Sequence, residues 1–199
     1  MNLVCCDLEG VWVPEVWINV AKKTGIDALK LTTRDIRDYD ELMTYRLKIL
    51  DEHKLTLSDI QEVIATIKPL DGALEMINWL KSVSRLIVVS DTFVEFADPL
   101  MRQLDYPTLF CHSLEVDDSN RITGYKLRQK DPKRQVVKAM KLLKYTVIAF
   151  GDSYNDVTML EKEEKAFLYR PPQNVIDDYP HLPVARDYDE MKKLLLDMF

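Results

Sequence analysis

Residues 3–10 of the chain read LVCCDLEG, an apolar run of four residues followed by two acids, Asp7 and Glu9. The run is too short for a helix, and a short apolar run that ends in polar residues is typical of a buried strand. Acids at the end of a buried strand gain nothing from packing, because a buried charge without a partner is costly. The stretch therefore predicts a strand that brings two carboxylates to one edge of a sheet.

Three other short apolar runs have the same character, and they lie at residues 85–89, 145–150 and 166–169. The first two, like the run before Asp7, end in polar residues and are followed by helical periodicity. This alternation predicts the α/β class, with a doubly wound parallel sheet. Residues 113–116 and 122–127 flank a turn-rich DDSN sequence and predict a β-hairpin, with one more strand at 108–111.

The stretch between the first two predicted strands has a different pattern. Residues 14–23, 39–53 and 58–67 are all patterned as helices, with no strand pattern among them. A crossover between parallel strands needs one helix, so three indicate an inserted helical cap of about 55 residues. We predict a core of residues 1–13 and 70–199 and a cap of residues 14–69.

The composition excludes several classes of protein. Thirty-three acids against 27 Lys and Arg leave the chain at net charge −6. No basic tract could neutralise a run of phosphates, so we expect no nucleic-acid partner. The five glycines are too widely spaced for a dinucleotide-binding loop or a P-loop. The three histidines form no HxxxH pair and no GxSxG sequence occurs, which argues against a zinc site or a serine triad.

The cysteines and the apolar runs indicate the cellular compartment of the protein. The three cysteines, Cys5, Cys6 and Cys111, are odd in number and two are adjacent, which favours reduced, buried thiols over a disulfide framework. No secretory signal pattern precedes Asp7, and no apolar run approaches the length of a membrane span. We therefore expect a cytoplasmic protein with no membrane partner.

Four acids could share one site. Residues 151–156, GDSYND, place Asp152 and Asp156 at a strand-to-helix turn, and ligands of open α/β sheets bind beyond the carboxyl ends of the strands. Carboxylates brought together there repel one another unless a hard cation joins them, and oxygen ligands suit Mg²⁺. The alternative for Asp152 and Asp156 is ordinary capping of a helix N-terminus.

Two cations lie on apolar helical stripes. Arg46 falls within the stripe of the predicted helix 39–53, and an inward guanidinium needs an anionic partner. Lys133 lies in the first turn of a helix that begins after Asp131, where a cation opposes the helix dipole, and it could bind a phosphate oxygen. The alternative for both is a side chain whose charged end reaches solvent. Glu15, at the start of the first cap helix, is explained by the dipole alone.

Four motifs, taken in order, resemble those of the haloacid dehalogenase-like phosphatases. They are DLEGV at 7–11, SDT at 90–92, Lys133, and GDSYND at 151–156. The helical insert resembles the small cap of the phosphoserine phosphatase branch. Within that branch, the first motif resembles that of the bifunctional phosphoserine phosphatase/homoserine phosphotransferase subgroup, because it has Glu9 where most relatives have Asp. Residues 24–27 and 127–133 are similar to that subgroup as well.

The resemblance implies a Rossmann-like core and phosphoryl transfer in two steps. Asp7 would be the nucleophile that forms an aspartyl-phosphate, and Glu9 would act first as general acid and then as general base. The implied Mg²⁺ ligands are Asp7, the backbone carbonyl of Glu9, and Asp152, with Asp156 supporting them. The implied phosphate ligands are Ser90, the backbone N–H of Asp91, Lys133 and Asn155.

The resemblance also implies a substrate. Arg46 would pair with the α-carboxylate of phosphoserine and Glu15 with its α-ammonium, and homoserine is a possible acceptor. Asp91 stands where relatives often have Gly, and we expect its side chain to point away from the phosphate. One alternative is another small phosphomonoester, such as phosphohomoserine, phosphothreonine or a sugar phosphate. An alternative of another class is a non-catalytic acidic binding module.

Overall fold

A computed structural model of the chain describes residues 1–33, 35–36, 38–161 and 163–199. Residues 34 and 37 of the predicted cap, and residue 162, lie outside this description. Within the described ranges, seven strands form one sheet in the order β4-β3-β2-β1-β5-β6-β7. The strands are β1 (Asn2–Cys6), β2 (Arg85–Phe93), β3 (Thr108–Val116), β4 (Ile122–Lys126), β5 (Thr146–Gly151), β6 (Ala166–Tyr169) and β7 (Val184–Ala185).

The strand pairing confirms the predicted α/β fold. Neighbouring strands of the described sheet are parallel, except that β3 and β4 form the predicted antiparallel hairpin. Strand β1 lies between β2 and β5, and Cys6 is in register with Val88 on one side and Phe150 on the other. The carboxyl ends of these three strands therefore meet, which is where the predicted acids lie.

Helices cover both faces of the sheet. They are α1 (Val16–Thr24), α2 (Tyr39–Glu52), α3 (Leu57–Ala65), α4 (Ala73–Val83), α5 (Val94–Gln103), α6 (Pro132–Leu142), α7 (Tyr154–Leu160), α8 (Gln173–Asp178) and α9 (Tyr188–Met198). The three predicted cap helices correspond to α1, α2 and α3. A 3₁₀ helix at Asp27–Lys30 was not predicted. The division of the chain into core and cap at residues 14 and 69 stays a prediction.

Two strands are longer than predicted. Strand β2 continues through Ser90 and Asp91 to Phe93, and its pairing with β3 shifts between Val89 and Phe93. The predicted strands at 108–111 and 113–116 are one strand, because His112 continues the extended backbone and pairs with Phe93. Polar residues in the interior of a strand favour a break, but the side chains of Ser90, Asp91 and His112 have polar partners of their own. The two-residue strand β7 was not predicted.

The two faces of the sheet have separate apolar cores. Along β1, Cys6 lies in the cluster that includes residues of α1, α3 and α4, whereas Cys5 lies in the cluster under α6. Both thiols are buried as predicted, but Cys111 is only half-buried, which corrects the prediction for that residue. No helix in the described ranges is long and apolar enough to cross a membrane.

Candidate active site

Three buried carboxylates lie together at the carboxyl ends of β1 and β5. Side-chain oxygens of Asp7, Asp152 and Asp156 are within 4.8 Å of one another. Two glycines allow this approach. A Cβ atom on Gly10 would lie 2.5 Å from Oδ2 of Asp152, and a Cβ atom on Gly151 would overlap the Asp156 carboxylate. The site therefore depends on residues without side chains at both positions.

Lys133 projects into this cluster from the first turn of α6. Its side chain is 2 % exposed, and Nζ lies 2.7 Å from Oδ1 of Asp156, 3.0 Å from Oδ1 of Asp7 and 3.5 Å from Oδ2 of Asp91. Burial lowers the pKa of the Lys133 ammonium, but the three carboxylates outweigh it and hold the pKa well above its ordinary value. The alternative of a solvent-reaching lysine is wrong, and the ammonium is a fixed positive charge in the site.

Asp156 is held by three donors. Its Oδ2 accepts hydrogen bonds from the backbone N–H groups of Asp152 and Ser153, at 2.9 and 3.1 Å, and its Oδ1 accepts from Lys133. The bond from Ser153 belongs to a capping box at the start of α7. Asp156 therefore both caps the start of α7 and belongs to the acidic cluster, so the two interpretations of this residue are compatible. Because its oxygens are engaged, Asp156 is suited to orient its neighbours.

The end of β2 presents a second group of polar atoms. Ser90 is buried, and its Oγ accepts a hydrogen bond from the backbone N–H of Thr92. Oδ2 of Asp91 accepts a hydrogen bond from Nδ2 of Asn155 at 2.8 Å, and Oδ1 lies 3.4 Å from Nε2 of His112. Burial raises the pKa of Asp91, but Lys133 and the hydrogen bonds from His112 and Asn155 outweigh it and hold the pKa well below its ordinary value.

Glu9 lies between the end of β1 and the helical segment that follows it. Its Oε2 accepts a hydrogen bond of 2.7 Å from the backbone N–H of Val16, the first residue of α1. Burial, with the charge of Glu15, raises the pKa of Glu9 to about 8, against the opposing effect of the bond from Val16. A carboxyl group with such a pKa can give and accept a proton near neutral pH.

Arg46 faces inward from α2, as its place in the apolar stripe predicts. It is 7 % exposed, and its guanidinium lies over the ring of Trp17, 4.6 Å from the ring centre. Nη2 donates a hydrogen bond of 2.9 Å to the carbonyl of Leu31, whereas the buried Nε has no hydrogen-bond partner among the described residues. Burial lowers the pKa of Arg46 to about 10. The solvent-reaching alternative is wrong here too.

One cavity of about 70 Å³ joins these groups. Its wall contains eight of the ten predicted site residues: Asp7, Glu9, Glu15, Arg46, Ser90, Asp91, Asp152 and Asn155. The other two, Lys133 and Asp156, lie directly behind it through their contacts with Asp7 and Asp152. The fold thus brings all the predicted residues together.

The wall also contains residues for which the sequence motifs implied no role. Trp17, Tyr39 and Thr92 line the cavity, and the buried Oγ1 of Thr92 has no hydrogen-bond partner within the described part of the chain. Trp17 and Tyr39 belong to apolar faces of their helices, so their positions carried no separate signal. His112, which lies outside this wall, did carry a signal, because it is a polar residue that interrupts an apolar strand.

The chain belongs to the haloacid dehalogenase-like hydrolase family, whose sequence model matches residues 7–162. It is 60 % identical over 196 residues to the phosphoserine phosphatase ThrH of Pseudomonas aeruginosa, across 98 % of this chain and 96 % of that protein. It is 55 % identical over 193 residues to a phosphoserine phosphatase of Pseudomonas syringae pv. tomato, across 97 % of this chain and 81 % of that protein. These relatives confirm the predicted family and its phosphoserine phosphatase branch.

Solved structures agree in fold. A phosphoserine phosphatase in its apo form superposes with a TM-score of 0.78 at 21 % identity, covering 96 % of this chain and 97 % of the other. A phospho-aspartyl intermediate analogue of phosphoserine phosphatase superposes with a TM-score of 0.75 at 21 % identity, with the same coverage. At this identity the likeness supports the fold.

Proposed function

We propose that the protein is an Mg²⁺-dependent phosphatase of L-phosphoserine that acts through an aspartyl-phosphate on Asp7. We also propose that it can pass the phosphoryl group to homoserine. The observation that carries the proposal is the composition of one cavity wall. It combines Asp7 and its acidic neighbours, backed by Lys133, with a buried guanidinium at Arg46 that has an unused donor.

The donor set fits a hard divalent cation. Asp7, Asp152 and Asp156 are three buried carboxylates in one cluster, and Lys133 is the ammonium in contact with two of them. A divalent cation would offset the remaining negative charge, and oxygen ligands suit Mg²⁺. Asp7, the Glu9 carbonyl and Asp152 would hold it, with Asp156 orienting them. When bound, Mg²⁺ would supply positive charge to the phosphate oxygens.

The phosphate would be held by groups from three separate elements. Ser90 and the backbone N–H of Asp91 come from β2, Lys133 from α6 and Asn155 from α7. Donors fixed before the substrate arrives can stabilise the charge that builds on the phosphoryl oxygens without reorganising. Since the donors come from three elements that meet at this edge of the sheet, the site needs no glycine-rich loop.

The chemistry takes two steps. In the first, a carboxylate oxygen of Asp7 attacks phosphorus, the bond from phosphorus to the serine oxygen breaks, and Glu9 gives that oxygen its proton. In the second, Glu9 takes a proton from a water molecule or from the hydroxyl of homoserine. The resulting oxygen nucleophile attacks phosphorus and releases the Asp7 carboxylate.

Two cavity residues from the predicted cap, Arg46 and Glu15, would select an amino acid. Trp17 and the Leu31 carbonyl hold the Arg46 guanidinium in place, and its remaining donors can pair with an α-carboxylate. Glu15 lines the same cavity and would accept the α-ammonium. Closure of the proposed cap, residues 14–69, would exclude water and so favour transfer to homoserine.

A substrate panel tests the proposal. Phosphoserine, phosphohomoserine, phosphothreonine, a sugar phosphate and an aryl phosphate would each be assayed with Mg²⁺. We expect the highest kcat/KM for phosphoserine, and a sugar phosphate as the best substrate would contradict the assignment of Arg46 and Glu15. No release of phosphate from any ester would favour a non-catalytic binding module. Added homoserine should produce phosphohomoserine at the expense of inorganic phosphate.

A further inference from the structure

His112 lies beside the proposed phosphate site, on the strand next to β2. It is 2 % exposed and pairs in register with Phe93, where the interrupted pairing of β2 and β3 resumes. Its Nδ1 accepts a hydrogen bond of 3.2 Å from the backbone N–H of Arg128. Because Nδ1 is an acceptor, the proton of the neutral ring lies on Nε2, which faces Oδ1 of Asp91 at 3.4 Å.

Asp91 is held by several partners at once. Besides His112 on Oδ1, its Oδ2 accepts from Asn155 and lies 3.5 Å from Nζ of Lys133. Its backbone carbonyl accepts a hydrogen bond of 3.0 Å from the hydroxyl of Tyr39 on α2. The Asp91 carboxylate is therefore turned toward His112, Asn155 and Lys133, and the last two are proposed phosphate ligands.

A carboxylate at this place has two unfavourable effects on a bound phosphate. It repels the phosphate directly, since like charges a few ångströms apart in a buried site interact strongly. It also competes with the phosphate for the ammonium of Lys133. A donor on β3, such as the Nε2–H group of His112, that holds one oxygen of the Asp91 carboxylate reduces both effects.

We infer that His112 is a positioning residue of the phosphate site. It holds the Asp91 carboxylate away from the phosphate, and it limits the pairing of that carboxylate with Lys133. The inference rests on the proposed function, because the phosphate site is part of it. His112 does not itself line the cavity that contains Asp7. Loss of the imidazole leaves Asp91 with Asn155 and Lys133 as side-chain partners, and phosphate binding weakens.

Two substitutions at this position separate the donor from the bulk of the ring. His112→Leu fills the space without a donor, whereas His112→Gln keeps an amide N–H. A hydrogen bond to a charged group corresponds to roughly a tenfold or larger change in affinity. For His112→Leu we therefore expect KM for phosphoserine and the Kd of inorganic phosphate to rise about tenfold, with kcat little changed. His112→Gln should stay within about threefold of the unsubstituted protein.

Asp91→Ala provides the decisive background. If His112 acts through the Asp91 carboxylate, His112→Leu has no further effect on phosphate affinity once that carboxylate is gone. The same tenfold loss in both backgrounds would overturn the inference, and so would a His112→Gln variant as impaired as His112→Leu. Ser84→Ala removes a buried hydroxyl between α4 and the start of β2 and should leave KM, kcat and phosphate affinity unchanged.

Thermal unfolding and calorimetry complete the test. A His112→Leu protein with a lower Tm but unchanged KM and phosphate affinity would show a purely structural role and overturn the inference. Binding of inorganic phosphate is measured by calorimetry without turnover. A failure of the proposed phosphoserine activity is therefore distinguishable from a failure of the role of His112.

Discussion

The side-chain nitrogen of Lys133 lies 3.0 Å from Oδ1 of Asp7, so a buried ammonium from α6 contacts the acid that follows β1. The same nitrogen bonds to Asp156 at the start of α7. Lys133→Met should leave Asp7 and Asp156 without the ammonium that pairs with both of them. We expect the free energy of unfolding without Mg²⁺ to fall by about 3 kcal/mol, as for other broken buried ion pairs. Urea unfolding measures this, and kcat should fall roughly a hundredfold.

Lys138→Met is the matched control, because Lys138 is exposed on the same helix. Its effect on the free energy of unfolding should stay within about 0.5 kcal/mol. Equal effects of the two substitutions would contradict the role given to Lys133.

Metal removal is the second prediction. Chelation of Mg²⁺ should stop turnover and added Mg²⁺ should restore it. A ligand that binds only the folded protein stabilises it, by about 2.7 kcal/mol at a hundred times its Kd. Thermal unfolding should therefore show a higher Tm with Mg²⁺, and Asp152→Asn should lose most of that increase. Asp118→Asn, an exposed acid in the turn between β3 and β4, should keep it, and the same Mg²⁺ response in both variants would argue against Asp152 as a ligand.

Gly10→Ala tests the close approach of backbone and carboxylate. Gly10 has φ +75°, and a Cβ atom there would meet the Asp152 carboxylate. We expect Mg²⁺ affinity to fall by roughly tenfold or more, because moving an oxygen ligand weakens a metal site. A Mg²⁺ titration followed by activity and by Tm would measure this.

Gly25→Ala is a control for backbone strain. Gly25 has φ +74°, but a Cβ atom there would meet nothing within 4 Å. Both substitutions should cost about 1 kcal/mol from left-handed backbone. If Gly25→Ala weakened Mg²⁺ binding as much as Gly10→Ala, strain rather than contact with Asp152 would be the cause.

Much of this site was predictable from the sequence, because its acids follow buried strands and its two cations interrupt apolar stripes. Asp7 and Lys133 are examples of the two signals. The continuation of β2 through Asp91 was not predictable. Nor was the contact between the side chains of Asp91 and His112. These contacts depend on the register of β2 against β3, which is set by packing between residues distant in the chain.

Arg46→Ala should separate substrate recognition from chemistry. Loss of a charge-assisted contact with the α-carboxylate should raise KM for phosphoserine by about ten- to a hundredfold. KM for an aryl phosphate, which has no α-carboxylate, should change little. Arg46→Lys keeps the charge without the planar guanidinium group. Its KM for phosphoserine should lie between those of the unsubstituted protein and of Arg46→Ala. Equal increases of KM for both substrates would remove Arg46 from substrate recognition.

The central claim is that phosphoserine hydrolysis passes through a phosphoryl group on Asp7. The most direct measurement is acid quenching during turnover of phosphoserine with Mg²⁺, followed by mass spectrometry of the peptide that contains Asp7. We predict one acid-stable, base-labile phosphoryl group on Asp7 in the unsubstituted protein, and neither phosphoenzyme nor turnover in Asp7→Asn. Turnover retained by Asp7→Asn, or a phosphoryl group on another residue, would contradict the account.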